Sequence, residues 1–284
     1  MYLTLRMNRL RVSAVSALLA AAIFFGMLGS VPKSSSKREI RLCAVMYHGL
    51  IKEKNNQNKY MIDPQSLEND LKYLTENGYH TIFVSELVGY IKNGTPLPEK
   101  PVLLTFDDGY YNNYTYAFPL LKKYGCKAVI SMIGIEADKA EKEKNKNPLY
   151  SECGWTELRE MTASGLVEIQ NHTYNLHQIK NGVQGAGQLG GEAPEEYKKR
   201  LAEDIERFNE ASVRELGKKP ECFTYPFGAK NSLTEEIIEK MNFSAAMDCE
   251  EKTNEITSQK DLMHIHRYLR PGNQSSEDFF LNKL

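Results

Sequence analysis

The sequence predicts an α/β fold, in which a single (β/α) barrel follows one N-terminal hydrophobic helix. From Arg41 to the end of the chain, short apolar segments of strand length alternate with helical patterns. Strands that alternate with helices pair in parallel through right-handed crossovers. Seven or eight such units favour one barrel over two domains. The composition agrees, because 41% hydrophobic and 26% charged residues are typical of a globular protein.

The N-terminal segment, residues 12–31, is apolar or small throughout. Its length matches the roughly 20 residues that a helix needs to cross a bilayer. Three arginines between Arg6 and Arg11 precede it, which predicts a cytoplasmic N-terminus. We expect an uncleaved membrane anchor, with a signal peptide cleaved after Gly29 or Ser30 as the alternative. Either way, the following residues face the outside.

Three regions are therefore expected along the chain. Residues 1–31 comprise the cytoplasmic N-terminus and the signal peptide or anchor, residues 32–40 form a linker, and residues 41–284 form one folded domain. The formal net charge is −1, so nothing in the charge balance favours nucleic acid as a partner.

Strands and helices follow from the apolar pattern and its boundaries. Strands are expected at residues 42–46, 81–84, 102–106, 128–133, 167–170, 223–225, 244–247 and 262–265. Helices are expected at residues 64–77, 85–93, 116–124, 156–164, 195–216, 234–241 and 276–284.

Polar and glycine residues mark the ends of the first two helices. Asp63 is expected to cap the first helix, with Pro64 at its first position and Gly78 after its end. Ser85 is expected to cap the second helix, which Gly94 closes. Residues 136–148 and the glycine-rich residues 181–191 are expected to be loops, and the latter lack the pattern of a phosphate-binding loop.

The five cysteines form no CxxC pair and are too few for a disulfide scaffold. We expect most of them to be small buried apolar residues. A bridge between Cys126 and Cys153, or between Cys222 and Cys249, remains open.

Two adjacent carboxylates, Asp107 and Asp108, close the apolar strand 102–106 within the sequence TFDDG. Such a pair at the mouth of a core is costly unless a metal ion or a proton neutralises part of its charge. Neighbouring residues on a strand point in different directions, so one Asp can bind a cation while the other faces a water molecule beside it. We interpret the pair as functional, against the alternative of a solvated turn.

Two histidines, His172 and His177, follow the strand 167–170. Histidines five residues apart do not share a helix face, so binding one ion requires a loop. Two histidines and one carboxylate, with positions left for water, form a typical catalytic metal set. The alternative is two polar loop residues. Near Phe227, the sequence TYPFG ends another strand, and its Pro and Gly allow an amide N–H to point into a pocket.

Together, MYH at residues 46–48, TFDDG, the histidine pair and the Pro-Phe-Gly turn resemble the polysaccharide deacetylase family in composition and order. This family is the NodB-homology domain of carbohydrate esterase family 4, and the resemblance covers residues 41–284. It implies a distorted (β/α) barrel that binds a divalent metal, usually zinc, although cobalt and nickel also suit such ligands.

The resemblance also implies roles for individual residues. Asp108, His172 and His177 would be the metal ligands, and Asp107 would be the general base that acts on the attacking water. The backbone N–H of Phe227 would help to hold the oxyanion.

Three departures from the family pattern are visible. The histidines are five apart, as in the subset that includes deacetylases of poly-β-1,6-N-acetylglucosamine. Thr224 stands where many members have an arginine that orients the base, so another group must steady Asp107. The general acid is expected to be His264, in the pattern Leu-x-His, with His266 and His48 as alternatives.

The expected function is removal of N-acetyl groups from an N-acetylglucosamine polymer of the cell envelope or the extracellular space, with poly-β-1,6-N-acetylglucosamine favoured. Two alternatives are a peptidoglycan deacetylase and a catalytically silent carbohydrate-binding wall protein. The expected partners are this polymer and, if the N-terminal helix is uncleaved, the membrane. We expect the protein to be anchored at the cell surface, or secreted if the segment is cleaved.

Overall fold

The computed structural model describes residues 39–180 and 182–284. The predicted hydrophobic helix at residues 12–31 lies outside these residues. Within the described part of the chain, no helix is long and apolar enough to span a bilayer.

Strands and helices alternate along the described chain, as the sequence predicts. The strands are β1 (Ile40–Tyr47), β2 (Gly49–Leu50), β3 (Met61–Ile62), β4 (His80–Ile82), β5 (Pro101–Asp108), β6 (Ala128–Met132), β7 (Val167–Asn171), β8 (Ile179–Lys180), β9 (Val183–Gln184), β10 (Cys222–Thr224), β11 (Ala245–Met247), β12 (Asn254–Ile256) and β13 (Tyr268–Leu269). The α-helices are α1 (Pro64–Glu76), α2 (Val84–Asn93), α3 (Phe118–Tyr124), α4 (Gly134–Ala140), α5 (Trp155–Ala163), α6 (Pro194–Leu216), α7 (Ser232–Lys240), α8 (Gln259–Leu262) and α9 (Ser276–Phe280).

The main sheet has the strand order β11-β10-β7-β6-β5-β1-β12, with β4 also paired to β5 and β13 also paired to β1. Every pairing in it is parallel except that of β1 with β12. The predicted α/β class and parallel pairing are confirmed, and the described strands form a half-barrel. Because all these parallel strands run in one direction, their carboxyl ends lie along one edge.

Strand β5 lies in the middle of this sheet and is buried on both faces. Leu104 packs into a cluster with Leu71 and Phe118 of the surrounding helices. Leu103 faces the other way, into a cluster with Val129 of β6 and others. Since side chains alternate along a strand, Thr105 and Asp107 share the face of Leu103.

The predicted start of α1 is confirmed, because the Asp63 side chain accepts a hydrogen bond from the Gln65 N–H and Pro64 is the first helical residue. The predicted cap of α2 is wrong. The Glu86 side chain accepts a hydrogen bond from the Phe83 N–H instead, so this helix begins at Val84. Ser85 lies in the first turn, where its hydroxyl donates to buried Glu168.

Two further predictions about elements are corrected. Residues 136–148, expected as a loop, lie partly in α4, whose first N–H groups, of Gly134 and Ile135, donate to the carbonyls of Thr173 and Tyr174. The strand expected at residues 262–265 is not formed as such, because Leu262 ends α8, the next two residues form a turn, and Ile265 makes a single parallel bridge to Met247. The Asp261 carboxylate accepts N–H groups that precede this helix, and a helical turn results.

All five cysteines are free thiols. Four are buried, in agreement with the expectation for most of them, and Cys249 is half-buried. Neither of the two disulfide bridges left open by the sequence is formed.

Candidate metal centre

All the predicted functional residues except His264 meet at the carboxyl edge of the sheet. His48 follows β1, Asp107 and Asp108 end β5, and His172 follows β7. These residues line one cavity of about 490 Å³. The cavity is lined by Met46, His48, Tyr60, Asp107, Asp108, Tyr110, His172, His177, Gln184, Phe227, Cys249, Glu251 and Leu269.

Three potential ligand atoms converge on the floor of this cavity. The Asp108 Oδ1 lies 3.6 Å from the His172 Nε2 and 3.3 Å from the His177 Nε2. Atoms of all three side chains lie within 4.8 Å of one another. Histidines five residues apart can face one ion only from a loop. The loop after β7 provides this, since it turns both imidazoles toward the Asp108 carboxylate.

The state of these side chains fits a divalent cation. The Asp108 Oδ1 is buried and accepts no hydrogen bond from the described residues, which is costly for a carboxylate without a cation. The His172 Nδ1 lies 2.8 Å from the Thr224 carbonyl oxygen. Because a carbonyl only accepts, Nδ1 carries the proton, and the unprotonated Nε2 faces the same space as the Asp108 Oδ1, where both can bind a cation. Burial lowers the pKa of His172 to about 4, so the imidazole is neutral near pH 7.

The backbone at Asp108 is shaped by the glycine that follows it. Asp108 has φ +70° and Gly109 has φ +81°, so the chain turns sharply at the end of β5. A Cβ atom on Gly109 would lie 1.9 Å from the Met132 sulfur. The positive φ favours glycine as the last residue of TFDDG, and a larger residue would also require the Met132 side chain to move.

Asp107 has a different environment from its neighbour. Its Oδ1 accepts from the Arg267 Nη1 at 2.7 Å and its Oδ2 from the Nη2 at 2.9 Å, with both side chains buried. The Nη1 also donates to the Thr105 hydroxyl at 3.1 Å, and the Nε donates to the Asp248 carbonyl at 2.9 Å. Burial alone would raise the pKa of Asp107, but the charge of Arg267 holds that pKa well below its usual range.

Arg267 is the residue that sequence reasoning missed. It lies 160 positions after Asp107 in the chain. Thr224 cannot hold Asp107 as an arginine would. Arg267, from near the C-terminal end of the chain, forms that pair instead.

His264, the general acid expected from the sequence, is not among the described residues that line this cavity. Its Nδ1 lies 3.7 Å from the Glu235 carboxylate, and the residue lines a separate cavity of about 400 Å³. His266 instead faces Asp248, with its Nδ1 at 3.0 Å from the Oδ1. Arg267 lies in the segment between α8 and β13, and its side chain is fully buried.

His48 is the additional histidine of the cavity. It is largely buried, and its Nδ1 has no hydrogen-bond partner among the described residues. Its ring lies 4.8 Å from the ring of Tyr60. Burial lowers the pKa of His48, whereas the charges of Asp107 and Asp108 oppose that shift.

Phe227 lies in the turn after β10 and has φ +58°. Its ring stacks on the His177 imidazole at 4.4 Å between centroids, so it supports one of the three ligand candidates.

A second group of potential ligands, Asp248, Glu250 and His266, differs from the first. The Lys230 Nζ lies 2.9 Å from the Asp248 Oδ2, and the Glu250 N–H donates to the Oδ1. This carboxylate is already paired with a cation, which leaves the cavity group as the better metal site.

Comparison with known proteins agrees with this geometry. The family model described as polysaccharide deacetylase matches residues 94–246, and the chain belongs to this family. The chain is 28% identical over 258 residues to a poly-β-1,6-N-acetyl-D-glucosamine N-deacetylase of Escherichia coli K12. The match covers 83% of this chain but 37% of that relative, so the chain spans little more than a third of its length.

Two solved structures resemble the fold closely. A de-N-acetylase from Aggregatibacter actinomycetemcomitans superposes with a TM-score of 0.74 and 27% identity, over 86% of this chain and all of the other. IcaB from Ammonifex degensii superposes with a TM-score of 0.68 and 28% identity, over 81% of this chain and 91% of the other.

Proposed function

We propose that this protein is a metal-dependent hydrolase that removes N-acetyl groups from poly-β-1,6-N-acetylglucosamine. One observation carries the proposal: the Asp107 carboxylate, held by Arg267, lies beside the three converging ligand atoms of Asp108, His172 and His177 in one cavity. The family and the names of the relatives support the reaction and the substrate.

Asp108, His172 and His177 would hold the metal. One oxygen and two nitrogen donors suit zinc, and cobalt or nickel would also bind them. When bound, such an ion makes water a nucleophile near neutral pH and stabilises negative charge that develops on a carbonyl oxygen.

Asp107 acts as the general base in this proposal. Its two hydrogen bonds to Arg267 fix the plane of the carboxylate and keep it ionised. An ionised, immobile carboxylate accepts the proton of the attacking water. The N–H of Phe227 would donate to the oxyanion that forms at the acetamide carbonyl.

The amide nitrogen must gain a proton before it leaves as an amine. We assign this step to His48, which shares the cavity with Asp107, rather than to His264, which does not. Burial lowers the pKa of His48 on balance, and the charges of Asp107 and Asp108 offset part of that shift. The products are acetate and a free amine on the sugar.

The absence of an arginine at Thr224 and the three candidates for the general acid are the sequence features that favour a silent carbohydrate-binding protein. Arg267 pairs with Asp107, and His48 lies in the cavity. Both grounds for that alternative are weakened by these contacts.

Acetate release tests the proposed function. The purified protein, supplied with zinc, is incubated with poly-β-1,6-N-acetylglucosamine, chitooligosaccharides or peptidoglycan, and Asp107→Asn serves as the control. Release from the first polymer alone, absent in the control, is expected. Release from peptidoglycan alone would make peptidoglycan the substrate. No release from any polymer by metal-loaded protein would favour a silent carbohydrate-binding protein.

We also propose that the protein acts outside the cytoplasm, with residues 12–31 as its membrane anchor. The apolar length and the basic flank of this segment support the proposal. Cell fractionation tests it: full-length protein should remain in the membrane fraction after a high-salt wash, whereas shortened protein in the medium would show cleavage.

A further inference from the structure

Two aromatic side chains of the cavity lining, Tyr60 and Phe227, are each 41% exposed. Most aromatic rings of this size are buried in a fold, so exposure at a cavity rim is informative. Each ring also rests on a histidine of the site, Tyr60 on His48 and Phe227 on His177.

The strand order places these two rings at opposite ends of the potential ligand group. Along the carboxyl edge, the sequence of strands is β10, β7, β6, β5 and β1. Phe227 follows β10, and Tyr60 belongs to the segment after β1. The residues that follow β7 and end β5, which include His172 and Asp108, lie between them. An extended chain bound along this edge would pass from one ring to the other.

The backbone of Tyr60 is fixed although its ring is exposed. Its carbonyl accepts from the Gly49 N–H at 3.1 Å, and its own N–H donates to the Asn58 Oδ1 at 2.8 Å. The Lys59 ammonium lies 4.6 Å from the ring centroid, so one face of this π-system already contacts a cation. The backbone that carries the ring therefore has a set position, and the part of the ring that stays exposed is available to a ligand.

We propose that Tyr60 stacks on a sugar unit next to the one that loses its acetyl group, and so favours a polymer over a single sugar. Pyranose rings present faces of weakly positive C–H groups, which complement the negative face of an aromatic ring. A cavity of about 490 Å³ has room for far more than an acetamide group. This inference rests on the proposed function, because it assumes that the ligand is a glycan.

Binding measured without turnover tests the role of Tyr60. Dissociation constants for a β-1,6-linked N-acetylglucosamine hexamer and for the monosaccharide are compared in wild type, Tyr60→Ala, Tyr60→Phe and Tyr150→Ala, with a chelator present. Tyr150 is the matched control, since it is 70% exposed and is not among the described residues that line the cavity.

Tyr60→Ala is expected to weaken binding of the hexamer about 3- to 10-fold and to leave binding of the monosaccharide unchanged. Tyr60→Phe and Tyr150→Ala should bind as the wild type does. Unchanged hexamer binding by Tyr60→Ala, equal losses in Tyr60→Phe, or an equal loss in Tyr150→Ala would overturn the proposal.

Acetate release by zinc-loaded wild type is measured on the same hexamer. Hexamer binding that depends on Tyr60 without acetate release would contradict the deacetylase function and support the stacking role. Acetate release that is equal in wild type and Tyr60→Ala would support the deacetylase function and contradict the stacking role.

Discussion

Asp107 and Asp108 are chemically identical side chains that the fold places in opposite environments. Asp107 accepts two hydrogen bonds from a buried guanidinium, whereas the Oδ1 of Asp108 is left facing two imidazole nitrogens. A positioned base and a metal ligand can therefore come from adjacent residues. The TFDDG sequence predicts this division, but the partner of each carboxylate depends on segments far away in the chain.

Arg267 is expected to support both folding and activity. Arg267→Ala leaves Asp107 buried without its cation, which should lower the free energy of unfolding by about 3–5 kcal/mol. Arg267→Lys keeps the charge but loses the paired hydrogen bonds, so it should recover stability better than acetate release. Urea denaturation and acetate release measure both. Wild-type activity in Arg267→Ala would contradict this role.

The two candidate acids differ in position, and their variants should differ accordingly. His48→Ala removes a histidine of the cavity and should lower acetate release by about 100-fold or more. His264→Ala changes a side chain that is 38% exposed and lies at a separate cavity, so activity should stay within about twofold of wild type. A large loss confined to His264→Ala would restore the assignment made from the sequence.

At the level of elements, sequence patterns predict the helix ends and strands that depend on neighbouring residues. The cap of α1 and the apolar strands β5 and β6 follow from neighbouring residues. Ser258 and Asp261 have the spacing of a capping box and indicate the start of α8, whereas the mostly apolar residues 262–265 favour a strand. The half-barrel pairing and Arg267 depend on contacts between distant segments, which a single sequence does not reveal.

The turn after β5 gives a test of this element. Gly109→Ala should lower stability and metal binding, because its Cβ would meet the Met132 sulfur at 1.9 Å. Gly78→Ala is the control, since Gly78 also has a positive φ, +73°, but none of the described atoms lies within 4 Å of its Cβ position. The control should cost only about 1–2 kcal/mol. Urea denaturation with metal analysis compares the two, and equal effects would show that the contact with Met132 is unimportant.

At the scale of the whole molecule, a buried ion pair joins distant parts of the chain. Asp70 of α1 accepts from the Arg270 Nε at 2.8 Å and from its Nη2 at 2.9 Å. The same carboxylate accepts from the Tyr47 hydroxyl at the end of β1 and from the Ser276 hydroxyl of α9. These hydrogen bonds join β1 and α1 to the C-terminal segment that contains Arg270 and α9. Asp70 is not among the described residues that line the cavity.

Loss of this pair should destabilise the fold without removing the metal group. Asp70→Ala leaves Arg270 as an unpaired buried charge, so the free energy of unfolding should fall by about 3–5 kcal/mol. The folded fraction should still bind metal, in contrast to Asp108→Asn. Thermal unfolding and metal content measure these effects, and unchanged stability would show that the pair does not hold the segments together.

The central claim is the division of labour between Asp107 and Asp108. Its most direct test measures bound zinc and acetate released from poly-β-1,6-N-acetylglucosamine in the same samples of wild type, Asp107→Asn and Asp108→Asn. We predict that Asp107→Asn retains zinc but releases no acetate, and that Asp108→Asn loses zinc. Loss of zinc from Asp107→Asn, with full zinc in Asp108→Asn, would contradict the account.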